Sequence, residues 1–230
     1  SECDFFINNL KNNIPFAFSR FNDGEMMGIC MSPGVKIARG DQVVSEGLKN
    51  ALIDSISHQQ HNYYVGLTCP YCIPQSFYHA GKQLTLGNPH IVRAVSTTNR
   101  NWAKVISKMS ECCAGKKVRY ISGEDQDISF LKRCMNINII DHVKTASKDS
   151  WSHFKEIESY INQINDGDLV LLSIGPTARI LAQRWFKKRP LATFLDIGSN
   201  LDPFTRNVWH KCHLGWENGF NIQNKCVGCN

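Results

Sequence analysis

Hydrophobic and polar positions along the chain switch repeatedly between a period of two and a period near 3.6. Ile14 to Phe21 (I-P-F-A-F-S-R-F) alternates as a strand does and follows a polar helical stretch. From Asp41 to His58, Val44, Leu48, Leu52, Ile53 and Ile56 recur at helical spacing. Tyr63 to Leu67 is a short apolar run ending in a turn-rich segment. Asn101 to Cys113 reads as a helix with Trp102, Val105, Ile106 and Met109 on one face. Lys117 to Ser122 then reads as a strand, Gln126 to Cys134 as a helix and Ile137 to Asp141 as a strand. In the last third, Ser150 to Ile164 predicts an amphipathic helix stopped by Asn165-Asp166-Gly167-Asp168. Leu169 to Ile174 is a continuous apolar strand, Gly175-Pro176-Thr177 opens a helix through Phe186, and Leu191 to Ile197 is a further strand.

Continuous apolar strands separated by helices predict a mostly parallel sheet covered on both faces. The expected fold class is therefore α/β, doubly wound and Rossmann-like. Residues 1–205 read as a single domain. Residues 206–230 read as an irregular C-terminal extension rich in Cys, His, Asn and Gly.

Composition narrows the picture only a little. With 42% hydrophobic and 20% charged residues in 230, the chain is globular, which excludes a disordered, collagen-like or coiled-coil protein. No apolar run approaches the roughly 18 residues of a membrane-spanning helix. Ser1-Glu2-Cys3-Asp4 lacks the features of a secretion signal, and the missing Met reads as a trimmed or partial chain. The net charge of +6 is spread out, in short clusters such as Lys187-Lys188-Arg189 and Lys116-Lys117. That balance suits a phosphate-bearing ligand better than nucleic acid, which usually demands a stronger, clustered excess. Ten cysteines in a chain long enough to build a core point to reduced thiols and a cytoplasmic location rather than a disulfide scaffold.

Four constellations can carry chemistry. In Arg20-Phe21-Asn22-Asp23-Gly24-Glu25, two carboxylates flank a Gly at a strand's C-terminal end and can share one Mg²⁺ or Mn²⁺. The plainer alternative is a polar turn in which Asp23 caps the next helix. Ser173-Ile174-Gly175-Pro176-Thr177 runs from a buried strand straight into a helix N-terminus, an anion-binding arrangement or simply a well-made turn. In Asp196-Ile197-Gly198 and Leu201-Asp202-Pro203, Asp196 or Asp202 reads as a substrate-hydroxyl ligand, a general base or a turn cap. Finally, Cys69-Pro70-Tyr71-Cys72 and Cys226-Val227-Gly228-Cys229 are two C-x₂-C pairs that together can supply four thiolates to a structural Zn²⁺. Such a site would pin the extension to the body, with His210 and His213 as substitute ligands. The alternative is unrelated reduced cysteines. His58 and His61 close a helix, and Trp151 and Trp185 read as core.

Taken in order, these motifs resemble the GT-D-type glycosyltransferases, over about residues 5 to 205. That family's first strand ends in a pattern like R-F-G-D-G-E, here Arg20 to Glu25 with Asn22 in place of the first Gly. A Gln before a short helix matches Gln42 and Glu46-Gly47-Leu48. A strand entering G-P-T-A matches Leu171 to Ala178, and a D-I-G strand end matches Asp196 to Gly198. Many members continue with His where this chain has Ser199. The resemblance implies a nucleotide-sugar donor, often UDP-linked, a Mn²⁺ or Mg²⁺ ion at Asp23 and Glu25, and donor contacts from Arg20, Gly24, Gln42, Gly175, Pro176 and Thr177. It also implies a glycan, glycoconjugate or other hydroxyl acceptor. Two other readings keep the same fold: a non-catalytic nucleotide-binding or zinc-stabilised interaction module, and a glycosyltransferase that modifies nucleic acid.

Overall fold

The structure, a computed structural model, describes residues 1–37, 42–98 and 101–208. Its elements in chain order are α1 (Glu2–Lys11), β1 (Ala17–Phe21), α2 (Asp23–Cys30), α3 (Glu46–Ser57), β2 (Tyr63–Leu67) and α4 (Gln75–Leu84). There follow β3 (Ile91–Arg93), α5 (Trp102–Cys113), β4 (Val118–Gly123), α6 (Ser129–Arg133), β5 (Ile139–Thr145) and α7 (Phe154–Ser159). The last are β6 (Leu169–Ser173), α8 (Thr177–Lys188), β7 (Thr193–Asp196) and α9 (Asp202–Thr205).

The seven strands form one parallel sheet in the order β3-β2-β1-β7-β6-β4-β5. Side chains on successive strand residues point to opposite faces, and both faces are buried. Ala17, Phe21, Val65, Val170, Leu172 and Phe194 pack with α3, α7 and α8 on one side. Phe18, Tyr120, Leu169, Leu171 and Leu195 pack with α1 and α5 on the other. This two-sided burial is why the strands read as continuous apolar runs, and it bears out the doubly wound α/β expectation. No helix among the described residues is long and apolar enough to cross a membrane.

Several boundaries differ from the periodic reading for identifiable reasons. The helix expected from Asp41 begins at Glu46, where the Ser45 hydroxyl accepts the Leu48 N–H at 3.1 Å as an N-cap. The stretch expected as one helix from Ser150 to Ile164 is a single α-turn segment, α7, between 3₁₀ turns at Ser150–His153 and Tyr160–Gln163. Ser152 and Ser159 hydroxyls donate to the Asp149 and Glu156 carbonyls at 2.7 and 2.6 Å, competing with the helical ladder. Helix α4 starts directly after Pro74, because a helix start tolerates a residue without an N–H.

A buried hydroxyl cluster ties β1, β2, α3 and α8 together. The Tyr63 hydroxyl donates to Ser19 Oγ at 3.0 Å and lies 2.9 Å from Ser55 Oγ. Ser55 Oγ donates in turn to the Arg179 carbonyl at 2.8 Å. Burial pushes the Tyr63 phenol up to about 12, so it stays neutral throughout the physiological range. Removing it orphans buried partners, so Tyr63→Phe is expected to cost about 1–2 kcal/mol. Thermal unfolding should show a melting temperature lowered by roughly 2–8 °C.

Candidate functional site

In an open parallel sheet the ligand crevice lies beyond the carboxyl ends of the strands, where the two halves of the winding meet. Here that place is the β1–β7 junction, with the β6–α8 turn beside it. Three of the predicted motifs converge there: the turn from β1 into α2, the turn from β6 into α8, and the end of β7.

Beneath these turns lies a buried network of four charged groups. Arg179, 3% exposed, projects from α8 among carboxylates of two other elements. Its Nη2 lies 3.2 Å from Glu25 Oε1, and its Nε lies 3.0 Å from Asp196 Oδ2. The same guanidinium donates to the Arg20 carbonyl at 2.6 Å and to the Gly175 carbonyl. Thus one arginine bonds all three motifs. Asp196 is fully buried and completes the frame: Oδ2 accepts the Arg20 N–H at 3.0 Å and Oδ1 accepts the Gly198 N–H at 3.1 Å. With its oxygens taken up in this way, Asp196 orients the arginines and the Gly198 turn.

The two carboxylates of the D-G-E turn face different surroundings. Asp23 is exposed at the first residue of α2. Glu25 is turned inward, where Oε2 accepts the Asn22 N–H at 3.0 Å. Burial raises the Glu25 carboxyl above the usual carboxylate range, against the opposing pull of Arg179. Among the described residues no three His, Cys, Asp or Glu side chains converge as a metal cage. A Mg²⁺-type site needs no such cage, since one or two carboxylates with substrate phosphates and water suffice. The exposed Asp23 carboxylate fits that donor set.

Gly198 adopts a left-handed backbone, φ +49°, and a Cβ there would lie 1.8 Å from Arg20 Nη2. The D-I-G glycine is thus required twice, by its backbone and by the guanidinium crossing it. At the neighbouring turn Gly175 is exposed with φ +59°, and Pro176 is part-exposed. Thr177 is fully buried, its hydroxyl accepting from Ser150 Oγ at 2.8 Å, so it braces the turn rather than facing solvent. Ser150 also donates to the Ile174 carbonyl at 2.8 Å. Ser150→Ala is expected to cost about 1 kcal/mol, read by chemical denaturation, because it removes the hydroxyl that links the buried Ile174 carbonyl to the Thr177 hydroxyl.

The remaining predicted residues take supporting places. Gly24 lies under Ile37, whose Cγ2 would be 3.0 Å from a Cβ at that position. Gln42 is 4% exposed; its Nε2 donates to Asp149 Oδ1 at 2.7 Å, fastening the chain before α3 to the loop after β5. Asp202 is also buried, at the head of α9, with Arg206 Nε 3.9 Å away. At the end of β2, Cys69 and Cys72 have their sulfurs 2.9 Å apart. His210, His213, Cys226 and Cys229 lie outside the described residues. Beside the edge, a cleft of about 520 Å³ is lined by Glu124, Lys144, Thr145, His153 and Tyr160.

Arg179 belongs to none of the sequence motifs, yet it joins all three of them. A signal was present: Ala178, Ile180, Leu181 and Ala182 make α8 apolar nearly all round, the mark of a buried helix. An arginine inside such a helix requires buried carboxylate partners.

A family model described as "Glycosyltransferase GT-D fold" matches residues 87–219. The matched span holds the Gly175-Pro176-Thr177 and Asp196-Ile197-Gly198 elements and begins after the D-G-E turn. No curated protein matches the chain. Among solved structures, a highly conserved domain of unknown function 1792, described as having a distinct glycosyltransferase fold, aligns with a TM-score of 0.62 at 16% identity. That alignment covers 88% of this chain and 79% of that chain. A protein described as a new glycosyltransferase of the same domain type, from Streptococcus sanguinis, aligns at 0.61 and 18% identity, covering 91% and 85%. At such identities the structural likeness establishes the fold. The family model, covering more than half of the sequence, establishes the rest: this chain belongs to the GT-D-fold glycosyltransferase family.

Proposed function

We propose that the protein transfers a sugar from a nucleotide-diphosphate donor, with a UDP-sugar favoured, to an acceptor hydroxyl on a glycan or glycoconjugate. The observation that carries this reading is the joining of three strand-end turns by Arg179 at the β1–β7 junction. An exposed carboxylate, Asp23, and an exposed helix-entry turn, Gly175-Pro176, stand together on that frame. The leaving group of such a transfer is a diphosphate whose negative charge grows as the anomeric bond breaks. A Mn²⁺ or Mg²⁺ ion held by Asp23 and the donor phosphates would supply Lewis-acid stabilisation there.

The chain's own residues do the rest. The N-terminal end of α8 presents its positive dipole toward the diphosphate from the Gly175-Pro176 turn. Glu25 reaches back to the Asn22 N–H and fixes the turn that carries Asp23. Asp196 and Arg179 hold Arg20 and Gly198 in register, so the charged groups need little rearrangement as the reaction proceeds. Gln42 keeps the segment before α3 docked against the loop at Asp149.

Release of nucleoside diphosphate from a panel of nucleotide sugars, with Mn²⁺ or Mg²⁺, tests the reading. One donor should be turned over, and Asp23→Ala should lower that rate on the order of 100-fold, the size of loss typical of a removed charge stabiliser. Equal rates in wild type and Asp23→Ala would remove Asp23 from the site.

A further inference from the structure

We propose that the cleft between β5 and α7 is the acceptor subsite, taking an uncharged, hydroxyl-rich saccharide. This rests on the transfer reaction proposed above and places its acceptor. The cleft holds about 520 Å³, within the range of small-ligand sites. Exposed Glu124, Lys144, His153 and Glu156 line its mouth, with Val143 and Ile157 further in. A lysine only donates hydrogen bonds, a carboxylate only accepts them, and a histidine ring can do both. Each sugar hydroxyl donates and accepts, so this mixed lining suits it. A diphosphate would instead meet two glutamates, which disfavours the nucleotide half of the donor here.

The floor of the cleft carries an unused hydroxyl. Thr145, the last residue of β5, is 8% exposed, and among the described residues its Oγ1 has no hydrogen-bond partner. Strand alternation puts Thr145 on the same face as Val143, which packs against the core shared with Phe154 and Ile157 of α7. The other hydroxyls of the cleft are committed. Ser159 Oγ donates to the Glu156 carbonyl at 2.6 Å. The Tyr160 hydroxyl accepts from Arg119 Nη1 at 2.8 Å and donates to Asp141. Buried polar groups are nearly always paired, so an unpaired hydroxyl lining a cleft points to a partner that the cleft receives.

The position suits an acceptor. Thr145 ends β5 and Glu124 follows β4, both on the carboxyl edge that holds the candidate donor turns. Only β4 separates β5 from β6, whose end opens the Gly175-Pro176 turn. Cleft and turn are therefore roughly 10 Å apart, about the length of a disaccharide. The connection between them is braced. The loop leaving Thr145 reaches Asp149, which accepts from Gln42 Nε2 at 2.7 Å. It continues to Ser150, whose hydroxyl bonds the Ile174 carbonyl and Thr177 Oγ1, each at 2.8 Å. A saccharide seated on Thr145 is thereby held at a fixed distance from the donor turn.

Saturation-transfer NMR on the full chain, with and without UDP and Mn²⁺, tests the subsite. The probes are neutral disaccharides ending in glucose, galactose, mannose, rhamnose, N-acetylglucosamine or N-acetylgalactosamine. At least one should bind wild type, and Thr145→Val should weaken it about fivefold to tenfold, the loss typical of one hydrogen bond. The same change should leave the melting temperature equal or higher, because it removes an unpaired buried hydroxyl; a merely structural role would lower it. Lys144→Ala/Glu156→Ala, two exposed positions, should also weaken the saccharide while leaving UDP affinity unchanged. The readout needs no turnover. Saccharide bound in this cleft by a protein that turns over no nucleotide sugar would sink the transfer reading and leave the saccharide site standing. Binding unaltered by both variants, or no binding by any of the panel, would overturn the inference even where a nucleotide sugar is turned over.

Discussion

Replacing Arg179 by Met should lower stability by about 3–5 kcal/mol, the usual penalty for breaking a buried ion pair from one side. For a chain of this size that is a melting temperature lower by roughly 6–20 °C. The reason is local. Glu25 and Asp196 are 6% and 0% exposed, and each has Arg179 within 3.2 Å. Without it, two carboxylates share an interior with less compensating charge, and two backbone carbonyls lose a charged donor. The pH dependence should change as well. Glu25 already has a raised folded-state pKa, so the stability linked to it is full below about 4.5 and declines as pH rises through the folded value. Arg179→Met removes the group that opposes this rise, so the decline should steepen and extend to higher pH. Adding Glu25→Gln should abolish that slope and recover part of the stability. Denaturant titrations across pH read both effects; an unchanged melting temperature in Arg179→Met would refute the network's role.

Gly198→Ala should strike function harder than folding. A Cβ at that position must displace the Arg20 guanidinium, since it would lie 1.8 Å from Nη2. The left-handed backbone adds about 1–2 kcal/mol for any non-glycine residue. Gly167→Ala supplies the control. Its φ is +81° with nothing within 4 Å of the added carbon, so it bears the backbone penalty alone. Both variants should lose stability, but only Gly198→Ala should weaken donor binding, by more than tenfold, in a direct titration. Equal donor affinity in the two variants would show that Arg20 placement is immaterial to the site.

What was legible in the sequence follows from what periodicity reports. The β6–α8 unit was readable because Leu169 to Ile174 is apolar without interruption and Gly175-Pro176 punctuates it. The doubly wound sheet followed from several such strands. Strand β3 was not readable: Ile91–Arg93 is too short to show any period. Helix α4 was obscured by Pro74, which reads equally well as a stop or a start. The 150–164 segment carries a helical pattern that its own serine hydroxyls partly undo. In the site, the D-G-E, G-P-T and D-I-G elements could be named, but not the direction in which each side chain faces. Glu25 and Asp23 are two residues apart, yet one is buried against Arg179 and the other exposed, because a helix turns neighbouring positions by about 200° over two residues. Arg179 itself shows in the sequence only as one basic residue among many.

Thermal-shift measurement with UDP, GDP, CMP and UDP-sugars, with and without Mn²⁺, on wild type and Asp23→Ala tests whether the β1–β7 junction holds a nucleotide-sugar donor. A ligand at 100 times its Kd stabilises the folded state by about 2.7 kcal/mol. Wild type should melt roughly 5–10 °C higher with one nucleotide series, more so with Mn²⁺, and the Mn²⁺ increment should be absent in Asp23→Ala. No shift with any nucleotide, with or without the ion, would contradict the donor site.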